Sequence, residues 1–573
     1  VNPEELKAWQ KKERDRCFQE ILNSTSPKKV IVAGPGTGKS FTFGQLLRQA
    51  RGNKLAMTFI RKLVTDMESK LVGIAEVKTF HAYCKKILHE QKGNVGIAPF
   101  LSGVVAKDAA LIGNRLSDFD SKFQTLDEKS PEVAFHISRG DYYDAVGFDD
   151  SVFRLYKLLQ EDPNVVPYFE QIVIDEFQDF HRLEVEFIHE LSKKGNILIV
   201  GDDDQAVYDR RNASPRYLRD LHKSESFKRF DLPFCSRCPE VIVHAVSAIV
   251  EKAQANGCLV GRVPKNYECF LPDKEADSKK YPKLMLACCT LARVVPKYIA
   301  AEIAKIDADD IAESHCDGHE YPTVLVVGPR HYLQEVAKYF EKIGLSFDYR
   351  PSEEIGYSVV DGYRWLLRDE HSNLGWRLLL EFYFDEKTQK ELVTKSRAGT
   401  RMEELLPKNF VAQQKTALEL LRTLQRQEKT PAEVGATLRG LLKQYSGEVT
   451  SFFEPKEEAS LAQIDKAKPS ILLTSFVGCK GLSAGHVFIV GMHNESMPLK
   501  SNAIADVEIS RFIVALTRTR KQCHIISLQW LIMPVDQNKK PRKAFARSTF
   551  VDWIPAELIE DRGKLKAENL QRS

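Results

Sequence analysis

The stretch KKVIVAGPGTGKSFTFGQLLRQ, residues 28 to 49, constrains this chain more than any other. A short run of β-branched residues enters a glycine-rich turn, and the turn opens directly into a helical pattern. Gly34, Gly36 and Gly38 let the backbone curl until its amide protons converge at the helix N-terminus. Pro35 and Thr37 complete the loop. Lys39 then stands where it neutralises β and γ phosphates, and the Ser40 hydroxyl where it ligates Mg²⁺. A solvated glycine-rich turn is the plain alternative, and the strand–loop–helix context argues against it. The expectation is a nucleotide site at the edge of a parallel sheet covered by helices.

Further apolar runs repeat that alternation at Val30 to Ala33, Ile172 to Ile174, Ile197 to Val200, Thr323 to Val327, Ile471 to Thr474 and Val487 to Val490. They fall into two groups, one ending near Gly201 and one running from about Lys283 to Ser527, so two α/β domains are the economical reading. Residues 91–166 and 351–469 are helical and polar in pattern and look like insertions. The expected division is therefore 1–90, 91–166 and 167–282 for the first domain, its insertion and the crossover, then 283–350, 351–469 and 470–573 for the second. Asp307 to Glu320 is acidic without apolar period and reads as an exposed loop.

A chain of 573 residues has room for three to five folding units. Its formal charge of +4 is too small to identify a nucleic-acid partner by itself. The eleven scattered cysteines and the lack of a secretory leader lead us to expect reduced thiols in a cytoplasmic protein. No apolar run reaches bilayer length, so no membrane partner is expected.

The run IVI ends in DEFQDF, which places Asp175 at the carboxyl end of a buried strand, where α/β sheets hold ligands. Asp175 is expected to hold Mg²⁺ through water, and Glu176 to accept a proton from an attacking water.

With these residues in place, the sequence resembles the UvrD, Rep and PcrA group of superfamily 1 helicases. DEFQD is similar to their second motif and VGDDDQAVYDRRNA to their third. TFIRKLVTDM and TFHAY resemble DNA-contact motifs, LPFCSRCPEVI the fourth motif, LLTSFVGCKGL the fifth and EISRFIVALTRTRK the sixth, all in family order. The resemblance implies two RecA-like P-loop domains with parallel sheets, each carrying a helical insertion, and ATP hydrolysis in the cleft between them. It implies that Gln178 and Gln205 sense the γ phosphate, that Arg237 and Arg518 reach it, and that Gln19 is a candidate adenine reader. For DNA it points to Phe59, Arg61, His81, Tyr83, Tyr208, Arg210, Ser475 and Lys480. The implied partner is single-stranded DNA or a junction, with movement 3′ to 5′.

The chain departs from the family pattern at several places. Ser236 stands where a tyrosine usually stacks on adenine, Arg210 where an aromatic usually stacks on a base, and Val477 and Ser483 replace the histidine and glutamate of the fifth motif. The insertions are also shorter than usual. These departures keep open a second expectation, an ATPase switch that controls a separate nuclease subunit, as in Gabija-type antiviral defence. A third is a non-hydrolysing DNA-binding scaffold, against which the intact phosphate-site residues count. Cys235 and Cys238 have CxxC spacing, but no second pair lies at a distance suited to zinc.

Overall fold

The computed structural model describes residues 2–58, 71–93, 95–316, 320–350, 356–453, 467–532 and 542–566. Helix α1 (Pro3–Leu22) leads into β1 (Lys28–Val32), the phosphate loop and α2 (Lys39–Gln49). Strands β2 (Lys54–Thr58), β3 (Glu76–Thr79), β4 (Phe169–Ile174), β5 (Gly195–Gly201) and β6 (Lys228–Phe230) complete a first sheet. Its order is β3-β2-β4-β5-β1-β6, and every neighbouring pair is parallel. The central strands are buried along most of their length, which is why their sequences read as continuous apolar runs.

The chain then crosses over. Helix α6 (Glu240–Ala255) packs into the core of the second sheet, where Val241, Ile242 and Ile249 join Ile509, Phe512 and Ile525 in one buried cluster. That sheet has seven strands: β7 (Leu284–Cys289), β8 (Val324–Val327), β9 (Asp348–Arg350), β10 (Ile471–Thr474), β11 (Ala484–Val490), β12 (Thr519–Leu528) and β13 (Ile559–Leu565). Its order is β9-β10-β8-β11-β12-β7-β13, again parallel throughout.

Helices interrupt each sheet. Between α3 (Phe80–Lys92) and β4 lie α4 (Leu101–Leu111), α5 (Pro131–Tyr143) and two further helices, with one short parallel strand pair, Gly96–Ile97 against Ala145–Val146. Between β9 and β10 the chain forms α7 (Val359–Arg368), α8 (Asn373–Tyr383) and more helices up to Phe453. The two insertions touch. Leu374 and Leu378 of α8 share a buried cluster with Leu101 and Val105 of α4.

That contact also buries charge. Arg377 Nε donates to Asp108 Oδ1 at 2.7 Å, Arg139 Nε to Asp108 Oδ2 at 3.0 Å, and the Tyr143 hydroxyl to the same oxygen at 2.5 Å. Asp108 and Arg377 are fully buried. Burial opposes the Arg377 charge, but Asp108, Tyr143 and Glu381 more than offset it and hold its pKa above the ordinary value.

Of the span Asp307 to Glu320, residues 317–319 lie outside the described residues, and Asp307 to Cys316 differ from the expected loop. Ala308–Ser314 is helical, and Asp310 is buried against Lys521, Lys280, Tyr281 and His486. Its acidic composition reflects one satisfied buried carboxylate as well as solvated ones. No helix among the described residues is long and apolar enough to cross a membrane.

Candidate nucleotide cleft

The glycine-rich loop forms because its glycines take backbone angles that other residues resist. Gly36 has φ +74° and Gly38 φ +89°. Gly36 also has no room for a side chain, since a Cβ there would lie 2.6 Å from the Arg237 Cβ. The Ser236 amide donates to the Gly36 carbonyl at 3.0 Å, so the loop and the segment carrying Arg237 are joined. Lys39 folds back, its Nζ donating to the carbonyls of Ala33 at 2.9 Å and Gly34 at 2.8 Å.

A cleft of about 450 Å³ opens above this loop. It is lined from the first sheet by Lys39, Ser40, Asp175, Glu176 and Gln205, and from the other side by Arg237, Gly481, Arg518 and Arg520. Asp175 and Glu176 follow the end of β4. Glu176 has φ +57°, an uncommon and costly conformation for a residue with a side chain, of the kind that concentrates at functional sites. Its carboxylate is fixed by the buried Gln178, whose Nε2 donates to Oε2 at 2.6 Å while Gln178 Oε1 accepts from the Asp202 amide at 3.0 Å.

Gln205 bridges the cleft. Its Nε2 donates to Asp202 Oδ2 at 2.6 Å, and its Oε1 accepts from Arg518 Nη2 at 3.0 Å. Lys480, expected at DNA, lies here instead. It is only 4% exposed, donates to the Gln205 carbonyl at 2.7 Å, pairs with Asp179 and sits 3.4 Å from Glu176 Oε2. A lysine so enclosed ties the two sheets together and has no surface to offer a strand.

The charges in the cleft are unbalanced. Burial pulls the pKa of Lys39 down despite the nearby carboxylates, and burial together with Arg237 lowers Arg520 and brings Arg518 down to about 10. Three cations are thus short of anion in one space. Opposite them, burial and the Glu176 charge push Asp175 up to about 7. Burial also works against Glu176, but Lys480, Lys39 and the Gln178 amide outweigh it and hold its carboxyl below the usual range. A polyanion between the cations, with a divalent cation between Ser40 and Asp175, relieves both deficits. The residues present therefore fit a nucleotide triphosphate and Mg²⁺.

Other expected positions scatter. Gln19 is exposed on α1, is not among the residues lining this cleft, and accepts from Asn23 Nδ2 at 3.4 Å. Tyr83 is 1% exposed and packs near Phe169, so its ring is core and not a DNA contact. Ser475 Oγ accepts from the Gly478 amide at 3.0 Å and stabilises a turn. His81 is half-buried, its ring 4.7 Å from that of Phe148. Tyr208 is half-buried with Lys480 Nζ 5.8 Å from its ring centroid, and Arg210 is exposed. Phe59 and Arg61 lie outside the described residues.

Two cleft residues escaped the sequence reading. Phe41, after Ser40, is 59% exposed at the mouth of the cleft with Phe18 edge-on at 5.4 Å. Arg520 donates to Ser483 Oγ at 3.0 Å and lies over the Tyr321 ring. The signal for Arg520 was present in TRTRK, where Arg518 and Arg520 are two apart as the chain enters β12 and so face one side.

A phosphate loop on one parallel sheet, met across a cleft by arginines from another, is the arrangement of a two-domain P-loop NTPase. Known sequences agree. Residues 19–211 match the AAA domain family and residues 150–292 the viral superfamily 1 RNA helicase core domain. The ATP-dependent DNA helicase UvrD1 of Mycobacterium tuberculosis is 27% identical over 36% of this chain, and PcrA of Bacillus subtilis 25% identical over 34%. A probable DNA helicase II homolog of Mycoplasma pneumoniae is 23% identical over 87% of this chain and 82% of its own length. The chain is thus similar to the UvrD/PcrA-like superfamily 1 helicases. Its match spans about a third of the length of the UvrD1 and PcrA relatives, 34% and 33%.

Proposed function

We propose that the protein is a DNA-stimulated ATPase that moves along single-stranded DNA, with ATP hydrolysed in the cleft between its two sheets. What carries this reading is the cleft's charge pattern: Lys39, Arg518 and Arg520 short of anion, facing Asp175 and a Glu176 carboxylate held by Gln178. Lys39 and the loop amides bind the β and γ phosphates. Ser40 and Asp175 would hold Mg²⁺, which supplies charge neutralisation at those phosphates. Glu176 Oε2, oriented by Gln178 Nε2, takes the proton of the attacking water. Gln205 and Arg518, already hydrogen-bonded across the cleft, couple the phosphate end to the second sheet, and Arg237 stabilises the charge that develops there.

The resemblance supplies the rest of the proposal: His81, Tyr208 and Arg210 contact the strand, and movement runs 3′ to 5′. Steady-state ATP hydrolysis by wild type and Glu176→Gln, with and without single-stranded DNA, tests it. We expect DNA stimulation in the wild type and a loss of about 10² to 10⁴ in rate in the variant. Hydrolysis independent of Glu176 would sink the assignment of the base, and hydrolysis indifferent to DNA would sink the translocase.

A further inference from the structure

Three cysteines gather beside the phosphate loop, and the ATPase reading uses none of them. Phe234–Cys235 and Glu268–Cys269 form a short parallel strand pair, with Cys269 opposite Cys235 in register. Cys238 follows just ahead of α6, so the CSRC sequence leads into a helix N-terminus. All three are free thiols and buried. Among the described residues their sulfurs do not converge closely enough to hold a metal ion as a group, which leaves the CxxC spacing without a use.

The geometry favours a bond between Cys235 and Cys238. The Cys238 amide donates to Cys235 Sγ at 3.4 Å, so the backbone of the second cysteine already lies against the sulfur of the first. Cys269 Sγ is instead turned to the Cys238 carbonyl at 3.6 Å. The Tyr267 hydroxyl lies 3.4 Å from Cys235 Sγ and 3.1 Å from the Pro35 carbonyl oxygen. Burial raises the pKa of Cys235, but the Cys238 thiol, the Tyr267 hydroxyl and the amides of Cys238 and Arg237 outweigh it and hold it below the ordinary value. Burial and the neighbouring Cys235 push Cys238 the other way, so it keeps its proton. A thiolate steadied by amides at a helix N-terminus is the form that reacts with oxidants.

Neither sulfur lines the nucleotide cleft, but each bears on it. A Cβ on Gly36 would lie 3.0 Å from Cys235 Sγ, so that sulfur is set against the loop. Cys238 Sγ donates to the Thr517 carbonyl at 3.5 Å, the oxygen that Arg237 Nη1 also reaches at 3.5 Å, and Thr517 precedes Arg518. Ser236 and Arg237, between the two cysteines, do line the cleft. A disulfide draws its sulfurs to about 2.05 Å and fixes the torsion between them, which would close Ser236 and Arg237 into a small ring. It also takes away the proton that Cys238 gives to Thr517. A displacement of about 1 Å can cost about 10² in rate, and both changes reach residues at the phosphate end.

We propose that Cys235 and Cys238 form a reversible disulfide under hydrogen peroxide, and that this bond switches off ATP turnover by displacing Arg237 and the Gly36 turn. The Cys235 thiolate attacks one peroxide oxygen and becomes the sulfenic acid as hydroxide leaves. The Cys238 sulfur then attacks Cys235 Sγ, the S–O bond breaks, the S–S bond forms, and the oxygen departs as water with the Cys238 proton. Two electrons pass from the sulfurs to the peroxide, which ends as two waters once the proton given up by Cys235 is counted. A dithiol reverses the bond by exchange. The proposal rests on the reading that the cleft hydrolyses ATP.

Peptide mass spectrometry of the full chain treated with hydrogen peroxide, alongside ATP hydrolysis before and after dithiothreitol, tests it. Peroxide should join the tryptic peptides 230–237 and 238–252 by a disulfide. Hydrolysis should fall by about tenfold or more and return with dithiothreitol. Cys235→Ser with Cys238→Ser keeps groups able to bond the Cys238 amide and the Thr517 carbonyl, so the double variant should hydrolyse ATP within about twofold of reduced wild type and resist the same treatment. No joined peptides, or a bond from Cys235 to Cys269, would overturn the site. Joined peptides with unchanged hydrolysis, or an equal loss in the double variant, would overturn the control. A reduced wild type that hydrolyses no ATP would sink the ATPase reading and the control with it, while the disulfide would still be read by mass.

Discussion

Two buried charge clusters join the halves of this molecule, and they are built on opposite principles. Between the insertions, Asp108 receives Arg377, Arg139 and Tyr143, so each charge meets its complement. In the cleft, Lys39, Arg518 and Arg520 are crowded together and lack anionic partners to match. Burying a charge without a partner is costly, and the cleft bears that cost while it is empty of ligand. The contrast separates a contact made for holding from one made for binding: the first is satisfied by the protein alone, the second awaits a ligand.

The sharpest way to break this comparison is Asp108→Asn. It leaves the buried Arg139 guanidinium without an anion and Arg377 with Glu381 alone, and we expect a loss of about 3 to 5 kcal/mol, read as a fall in the first thermal unfolding transition. Little change would mean that water or motion relieves the interface. Arg237→Gln probes the other side. Arg237 pairs with no carboxylate among the described residues, so unfolding should shift by less than about 0.5 kcal/mol, while ATP turnover falls by about 10³. A large stability loss with intact turnover would reverse the assignment.

A third probe concerns a buried group kept neutral. His524 in β12 stacks on Phe488 at 4.4 Å and lies 3.0 Å from the Tyr298 hydroxyl. Burial, with His486, Arg562 and Lys305 nearby, lowers its pKa to about 3. Between that value and the ordinary 6.5 the unfolded chain binds a proton that the folded one does not, so stability is complete above 6.5 and declines as pH falls. At pH 5 the loss should be about 2 kcal/mol, and His524→Gln should flatten the dependence of unfolding on pH in that window.

The fold was readable where burial is continuous. Val30, Ile172, Ile197, Thr323 and Val487 head runs whose whole lengths are enclosed, and such runs can only be strands of a covered sheet or core helix. Strand β13, IEDRGKL, was not readable: it forms the sheet edge with most side chains exposed, so backbone pairing with β7 fixes it, with no apolar pattern to announce it. Tyr83 shows the reverse error. Phe80, Tyr83, Cys84, Ile87 and Leu88 follow the spacing of a buried helix face, which outweighed its position in a motif. Lys480 and Asp179 met only through tertiary folding, from 301 residues apart, and nothing local announces that pair. Asp108 and Arg377 were illegible for the same reason, lying 269 residues apart.

Gly36 carries a consequence of its own. Where most neighbouring parts of a protein leave space for a side chain between them, the loop and Arg237 leave none, and the Ser236 amide fastens the two. A joint without play transmits small displacements whole. Whatever seats in the loop therefore bears directly on the segment that carries the arginine.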